Sequence, residues 1–291
     1  MSEQIFSQKK NPLIALVLLI FSFGCGGETR NYGDPNEVRL ITIGGSVTET
    51  AFALGAGKNI VGTDTSSIFP EQAVKLPQVG YQRQLSAEGV LSLRPTLILA
   101  TEEAGTPAAI RQIENAGVKV IKVPNDNSAE GARAQIRLIA ETLDRTGAGE
   151  ELVGALENDL KEANRCRETI GRRPKVLFIH ARGGAMVNVA GTKTAGDEMI
   201  KLAGGENVIT QFEGYKPLTA ETIVSVQPDL ILMPEKSLES IGGDEGLLKI
   251  SGIGETPAGK NRRIITLDDL MLLGFGPRLG QAVKSLCEKL H

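Results

Sequence analysis

The sequence predicts an α/β fold: two similar α/β lobes with mostly parallel sheets, joined by a single long helix. Three observations carry that prediction. Apolar strand-like runs alternate with helical patterns, one segment recurs at a fixed offset, and a long amphipathic stretch lies between the copies. Alternation of this kind marks βαβ units, whose crossover helices cover both faces of a sheet, so that its strands read as near-continuous apolar runs.

In chain order, the strand candidates of the first half are "VRLITIGG" (Val38 to Gly45), "NIVGTD", "LILA" and "VKVIKVP". The second half supplies "KVLFIHARGG", "LILMP" and "RIITLD". A shift of 133 residues lays Ser86–Ala100, "SAEGVLSLRPTLILA", over Thr219–Met233, "TAETIVSVQPDLILM". The identities are Ala87/Ala220, Glu88/Glu221, Ser92/Ser225, Pro95/Pro228, Leu97/Leu230, Ile98/Ile231 and Leu99/Leu232. Upstream, "LGAGKNIVG" from Leu54 resembles "LAGGENVIT" from Leu202, so the matching pieces keep their order.

Between the copies, "AEGARAQIRLIAETLDRT" puts Ile136, Ile139, Ala140 and Leu143 on one helical face. After Gly147 and Gly149, a second stripe runs through Leu152, Leu156, Leu160, Ala163 and Ile170, a helix of about 20 residues and about 30 Å. The domain reading is an N-terminal α/β lobe over 38–127, a helical region over 128–172 that includes the connecting helix, and a C-terminal α/β lobe over 173–291. A helix bends less readily than paired hinge strands, so the cleft between such lobes is expected to be largely preformed.

Residues 1–24 read as a signal peptide. Lys9 and Lys10 precede the uncharged run Leu13 to Gly24, which is too short for the roughly 20 residues a bilayer span needs. Cys25, followed by Gly26 and Gly27, looks like a lipobox cysteine that is acylated and anchors the chain. Ser22 and Phe23 depart from the usual pattern, which leaves a plain signal peptide or an uncleaved anchor as alternatives. Residues 25–37 form a polar tether. The expected location is periplasmic, with membrane contact through the lipid anchor. Cys166 and Cys287 fall in helical patterns and are either buried thiols or a disulfide in an oxidising compartment.

A net charge of −3 and a pI near 5.7 argue against nucleic acid as a partner. "IGGSVTE" follows a strand and opens a helix, yet the chain has no complete dinucleotide, P-loop or nucleophile-elbow motif, so an α/β nucleotide-binding enzyme is disfavoured. Only His180 and His291 are histidines, too few for a zinc or manganese carrier.

Three tyrosines occur: Tyr32 in the tether, Tyr81 in a polar loop two residues before Arg83, and Tyr215 in what reads as the equivalent loop of the second lobe. Equivalent loops would bring Tyr81 and Tyr215 to the mouth of one cleft, whereas local packing with a solvated hydroxyl is the alternative for each. His180 and Arg182 sit at a strand's carboxyl end, where open α/β sheets face their ligands. Glu88 and Glu221 open two matching helices, where a carboxylate favours the positive end of the helix dipole.

The motifs "VGYQRQLSAEGVLSLRPTLILA", "AGTKTAGDEMIKLAGGENV", "FEGYKPLTAETIVSVQPDLIL" and "TPAGKNRRIITLDDLMLLGFGPR" together resemble the haem-binding periplasmic proteins of bacterial ABC importers. That group sits within the class that binds vitamin B12 and ferric siderophores, and the resemblance covers nearly all of the chain after the leader. It implies a binding protein rather than an enzyme, with haem as its transported ligand. Its partners would be an ABC permease and ATPase complex and an upstream haem donor.

By the same resemblance Tyr81 is the axial ligand of a ferric haem, supported by Arg83. A phenolate is a hard anionic donor suited to Fe(III), and its phenol pKa near 10 means that metal and a nearby cation must favour ionisation. Further cleft candidates are His180, toward the second haem face or a second haem, with a hydrogen-bonded strand-end histidine as the alternative, Arg182 and Lys216, each toward a propionate, and Tyr215. Glu88 and Glu221 are the implied permease-docking carboxylates, one per lobe. Cobalamin and a ferric siderophore are the neighbouring alternatives; neither needs a phenolate from the protein.

Overall fold

The computed structural model describes residues 38–182 and 186–290. The leader over 1–24, Cys25, the tether through residue 37 with Tyr32, and His291 lie outside the described residues.

The first half runs β1 (Leu40–Ile43), α1 (Gly45–Ala53), β2 (Ile60–Thr63), α2 (Glu71–Val74), α3 (Ala87–Ser92), β3 (Leu97–Thr101), α4 (Pro107–Asn115) and β4 (Lys119–Val123). Two helices follow, α5 (Ala129–Thr142) and α6 (Thr146–Glu168). The second half opens with β5 (Lys175–Ala181), β6 (Val187–Ala190), α7 (Ala195–Leu202), β7 (Glu206–Asn207), β8 (Tyr215–Pro217) and α8 (Ala220–Val226). It closes with β9 (Leu230–Pro234), α9 (Glu235–Ser240), α10 (Gly243–Leu248), α11 (Pro257–Lys260), β10 (Ile264–Leu267), α12 (Asp269–Leu273) and α13 (Leu279–Leu290). Among the described residues no helix is long and apolar enough to cross a membrane.

All seven predicted runs form strands, in two sheets. The first sheet is parallel throughout, in the order β2-β1-β3-β4. In the second, β7, β5, β9 and β10 pair in parallel and in the corresponding order, while β6 and β8 add antiparallel strands beyond β5. The repeat therefore extends to topology. It extends to backbone conformation as well: Arg94 and Gln227, which occupy matching positions before Pro95 and Pro228, both adopt the left-handed region at φ 47° and 42°. In each copy this residue ends a short helix and sends the chain into the central strand.

Alternate strand residues enter different cores, because successive side chains point to opposite faces. Val176 and Phe178 join Leu230 and Leu232 on one face of the second sheet, and Leu177 and Ile179 join Ile231 and Met233 on the other. In the first sheet Ile41, Ile43 and Ile98 line one face, and Leu40, Leu97 and Leu99 the other. Both faces are buried, so these strands read as continuous apolar runs.

The helical region belongs to both lobes. Ala132 and Ile136 of α5 are buried in the second-lobe core, Ile139 and Ala140 of the same helix in the first-lobe core, and Leu152 of α6 packs against both. At 23 residues α6 is about 35 Å long. Its interior Gly149 allows α5 to approach: a Cβ there would stand 2.4 Å from that of Ala140. Gly280 does the same for α13, where a Cβ would lie 2.8 Å from the Leu156 carbonyl oxygen. A disulfide between Cys166 and Cys287 ties α6 to α13 across 121 residues, resolving the alternatives left open for these cysteines. Closing a loop of that size removes about 4–5 kcal/mol of chain entropy from the unfolded state in the entropic account.

The lobes are also joined by charge. Glu49 of α1 is buried and accepts two hydrogen bonds from Arg278, from Nε to Oε1 at 2.6 Å and from Nη2 to Oε2 at 3.0 Å. The guanidinium also stacks over the Phe69 ring at 3.8 Å and lies 3.7 Å from Asp268. Burial pushes the Glu49 carboxyl above its ordinary range, while the hydrogen bonds and charge of Arg278 oppose that shift. Removing the arginine leaves a buried carboxylate without its counter-ion, so Arg278→Ala is expected to cost about 3 kcal/mol at neutral pH. The loss should shrink as pH falls and Glu49 takes up a proton. Denaturant unfolding across pH checks this, and a loss below about 1 kcal/mol, the scale of a surface pair, would contradict it.

Candidate functional site

The carboxyl ends of the parallel strands from both sheets converge on one cleft, the place where open α/β sheets expose loops and helix starts to ligands. Its cavity measures about 430 Å³. The first-lobe wall comprises Gly44 and Ser46 after β1, Ser66 after β2, Gln82, Thr101 at the end of β3, and Asn125 after β4. The second-lobe wall comprises His180 and Arg182 at the end of β5, Lys236 and Ser237 after β9, and Asp269 and Leu270 after β10. A groove of about 730 Å³ lies at the other end of α1, lined by Phe52, Phe69 and Pro277, away from the strand ends.

Buried hydrogen bonds shape the floor. Asp64 is fully buried and accepts from the Gly44 N–H at 2.8 Å, the Ser66 N–H at 2.9 Å, the Ser67 hydroxyl at 2.7 Å and the Ser66 hydroxyl. The carboxylate thus fastens the loop after β2 to the turn after β1, both of which line the cavity. Gly44, Gly45 and Ser46 of "IGGSVTE" accordingly form part of the cleft wall.

Tyr81 is not itself a lining residue but directly precedes one, Gln82; it is half-buried, on a turn closed by Gln84 N–H donating to its carbonyl at 2.8 Å. The turn is anchored on both sides. Thr65 N–H donates to the Gly80 carbonyl at 3.0 Å, Gly105 N–H to the Gln82 carbonyl at 2.7 Å, and the Thr101 hydroxyl to Gln82 Oε1 at 3.1 Å. Gly80 supplies the φ of 98° that the entry to the turn requires, a region costly for residues with a Cβ. Lys122 secures the supporting loop by donating to the Ala104 carbonyl at 2.6 Å and the Glu102 carbonyl at 3.2 Å. Tyr81 itself lies next to the cavity-lining Gln82, and its hydroxyl has no hydrogen-bond partner among the described residues. Arg83 points to the surface, ion-paired with Glu103.

Tyr215 does not occupy an equivalent loop. It lies on β8, paired with Ala190 of β6, and its ring packs 6.4 Å from Phe178 and 6.0 Å from His180. Burial of its hydroxyl end raises the phenol pKa, opposed by the Gly196 N–H and the Thr194 hydroxyl, although the residue as a whole stays 42 % exposed. Lys216 extends over the Phe212 ring at 4.5 Å, outside the cavity lining. His180 and Arg182 do line the cavity, as their strand-end position predicts. Glu88 and Glu221 sit exposed in the first turns of α3 and α8, behind the equivalent N-caps Ser86 and Thr219.

Among the lining residues that sequence reasoning missed are Gln82, Lys236 and Asp269. Lys236 and Asp269 follow predicted strands, so the strand-end rule that identified His180 would have found them had it been applied to "LILMP" and "RIITLD", whereas Gln82 lies in the polar loop beside Tyr81. Glu49 and Arg278 lie 229 residues apart and carry no local signal of their pairing.

Comparison with known proteins places this architecture. The family model described as periplasmic binding protein matches residues 40–270. Among solved structures, the periplasmic heme-binding protein RhuT from Roseiflexus sp. RS-1, in apo form, superimposes with a TM-score of 0.85 at 44% identity, covering 87% of this chain and 98% of that one. The periplasmic heme-binding protein BhuT, in complex with two hemes, gives 0.83 at 44% identity over 87% and 97%. Among curated relatives, the uncharacterized ABC transporter substrate-binding lipoprotein YvrC of Bacillus subtilis (strain 168) is 28% identical over 260 residues, 87% of this chain and 80% of that protein. The vitamin B12-binding protein of Photorhabdus laumondii is 25% identical over 284 residues, 97% of each.

The electrostatics of the second-lobe wall yield a direct test. Burial lowers the His180 pKa, the Arg182 charge lowers it further, and Asp269 opposes both. The imidazole is therefore neutral at pH 7, and an NMR titration should place its midpoint below the ordinary value of about 6.5. Arg182→Gln should raise that midpoint and Asp269→Asn should lower it; a wild-type midpoint at or above the ordinary value would contradict the assignment.

Proposed function

The chain belongs to the periplasmic binding protein family, and on that premise we propose that it is the substrate-binding protein of an ABC importer that captures ferric haem in the inter-lobe cleft. Tyr81 carries the reading: a half-buried phenol without a hydrogen-bond partner among the described residues, on a hydrogen-bonded turn whose next residue, Gln82, lines the cavity. Two structures of heme-binding proteins at 44% identity over 87% of the chain support the same ligand. The vitamin B12-binding relatives make cobalamin the alternative, but cobalamin calls for no phenolate.

In this reading Tyr81 binds iron through its phenolate oxygen and releases its proton on loading. Ionisation is favoured by the metal and by positive charge nearby. Arg83 supplies that charge by exchanging its exposed partner Glu103 for the new phenolate, an inexpensive exchange because exposed ion pairs contribute about 0–1 kcal/mol. His180, neutral at pH 7, offers a lone pair toward the opposite face of the porphyrin. A phenolate disfavours ferrous iron, which suits a carrier that performs no redox chemistry and is not an enzyme.

The lobes correspond to 38–127 and 173–291, bridged by the helical region 128–172. The haem passes to a permease and ATPase complex, for which Glu88 and Glu221 form a matched pair of docking carboxylates on the two lobes. Cleavage after residue 24 and acylation of Cys25 would hold the chain at a membrane facing the periplasm. The disulfide agrees with an oxidising compartment.

Two experiments test the reading. Haemin titration of Tyr81→Ala should lose the wild-type Soret position and its phenolate-to-iron charge-transfer band, and an unchanged spectrum with unchanged affinity would remove Tyr81 as the ligand. Reversing charge at both Glu88 and Glu221 should abolish haem uptake by cells while haemin affinity in vitro stays the same. Uptake at the wild-type rate would exclude their docking role.

A further inference from the structure

Charge is divided unevenly between the walls of the cleft. The first-lobe lining, from Gly44 to Asn125, presents hydroxyls, amides and one isoleucine, with no formal charge. The second-lobe lining carries Arg182, Lys236 and Asp269. Asp269 accepts a hydrogen bond from the Lys236 backbone N–H at 3.0 Å, so it fixes the start of α9. Neither the Lys236 ammonium nor the Arg182 guanidinium forms a salt bridge among the described residues. Two cations against one carboxylate leave this wall with one excess positive charge, and both side chains are exposed to whatever enters the cleft. Lys216 is held over Phe212 instead and does not share the wall.

A ferric porphyrin presents two propionates on one edge, each ionised at neutral pH, and an apolar ring elsewhere. We propose that Lys236, acting with Arg182, is the specificity-determining cation pair that binds those two carboxylates, so that the acidic edge of the ligand lies on the second lobe while its iron meets Tyr81 of the first. This assignment rests on the haem reading and adds an orientation to it. It also supplies a reason to reject cobalamin, whose periphery is mostly neutral amides. Charge-assisted contacts between ammonium or guanidinium and carboxylate are the stronger class of hydrogen bond, and the partly enclosed cleft reduces the competition from water.

The test compares haemin with the dimethyl ester of the same ferric porphyrin, delivered from dimethyl sulfoxide, against wild type, Lys236→Gln and Lys236→Arg. Wild type should prefer the free acid by about tenfold or more, the equivalent of about 1.4 kcal/mol. Lys236→Gln should lose most of that preference while its affinity for the ester and the Soret position of its haemin complex stay unchanged. Lys236→Arg should keep the preference. A wild type that binds haemin with a Tyr81-dependent spectrum but ignores esterification would overturn the cation pair alone, as would a Lys236→Gln variant that discriminates as well as wild type. A wild type that binds neither porphyrin would remove the haem reading and the cation pair together.

Discussion

The buried bidentate pair of Glu49 and Arg278 is the contact on which the geometry of the cleft most depends. It joins the first helix of one lobe to the segment that enters the last helix of the other. An ion pair in that position is weak evidence for net stability, because desolvation offsets much of its Coulomb energy. Its consequence is positional: two planar groups locked by two parallel hydrogen bonds tolerate little sliding or rotation. Alongside it, α5 contributes to both lobe cores and α6 is clamped to α5 and α13 by close helix approaches and a disulfide. A lobe rotation of the kind that closes a hinge would have to break the charge pair and repack two cores together.

A cleft with fixed walls places its demands on loops and side chains. The turn bearing Tyr81 meets them through the carbonyls of Gly80, Tyr81 and Gln82, which all accept backbone hydrogen bonds, while the phenol oxygen has no partner among the described residues. Such preorganisation reduces the ordering cost of binding, since the donor need not be gathered from a mobile loop. In the proposed complex the adjustments left for loading are side-chain motions at the surface, such as Arg83 parting from Glu103. The two walls also divide the work in the proposed complex, an oxygen donor beside the uncharged first-lobe lining and cations on the second.

Much of the fold was legible because duplication and burial leave local signatures. Strands covered on both faces read as apolar runs, and the helix carrying Ile136, Ile139 and Ala140 shows its period directly. The correspondence of Glu88 with Glu221 survives as an equivalent pair of helix starts. What the sequence concealed is where the copies diverged. Tyr215 looks like the counterpart of Tyr81, yet β6 and β8 add a ribbon to the second sheet, and β8 is three exposed residues with no apolar alternation to betray it. That ribbon turns Tyr215 toward Phe178 and Lys216 toward Phe212, so Lys236 rather than Lys216 joins Arg182 on the wall. The Asp64 network was hidden for a different reason: its carboxylate looks like any turn aspartate until the loop after β2 folds back on the turn after β1.

A crystal structure of the haemin-saturated protein tests the central claim most directly, because one map reports both the iron's ligand and the relation of the lobes. The account predicts a bond from iron to the Tyr81 phenolate oxygen, with the Glu49 and Arg278 contacts intact. Iron bound elsewhere, or a cleft closed by rotation that separates that pair, would contradict it.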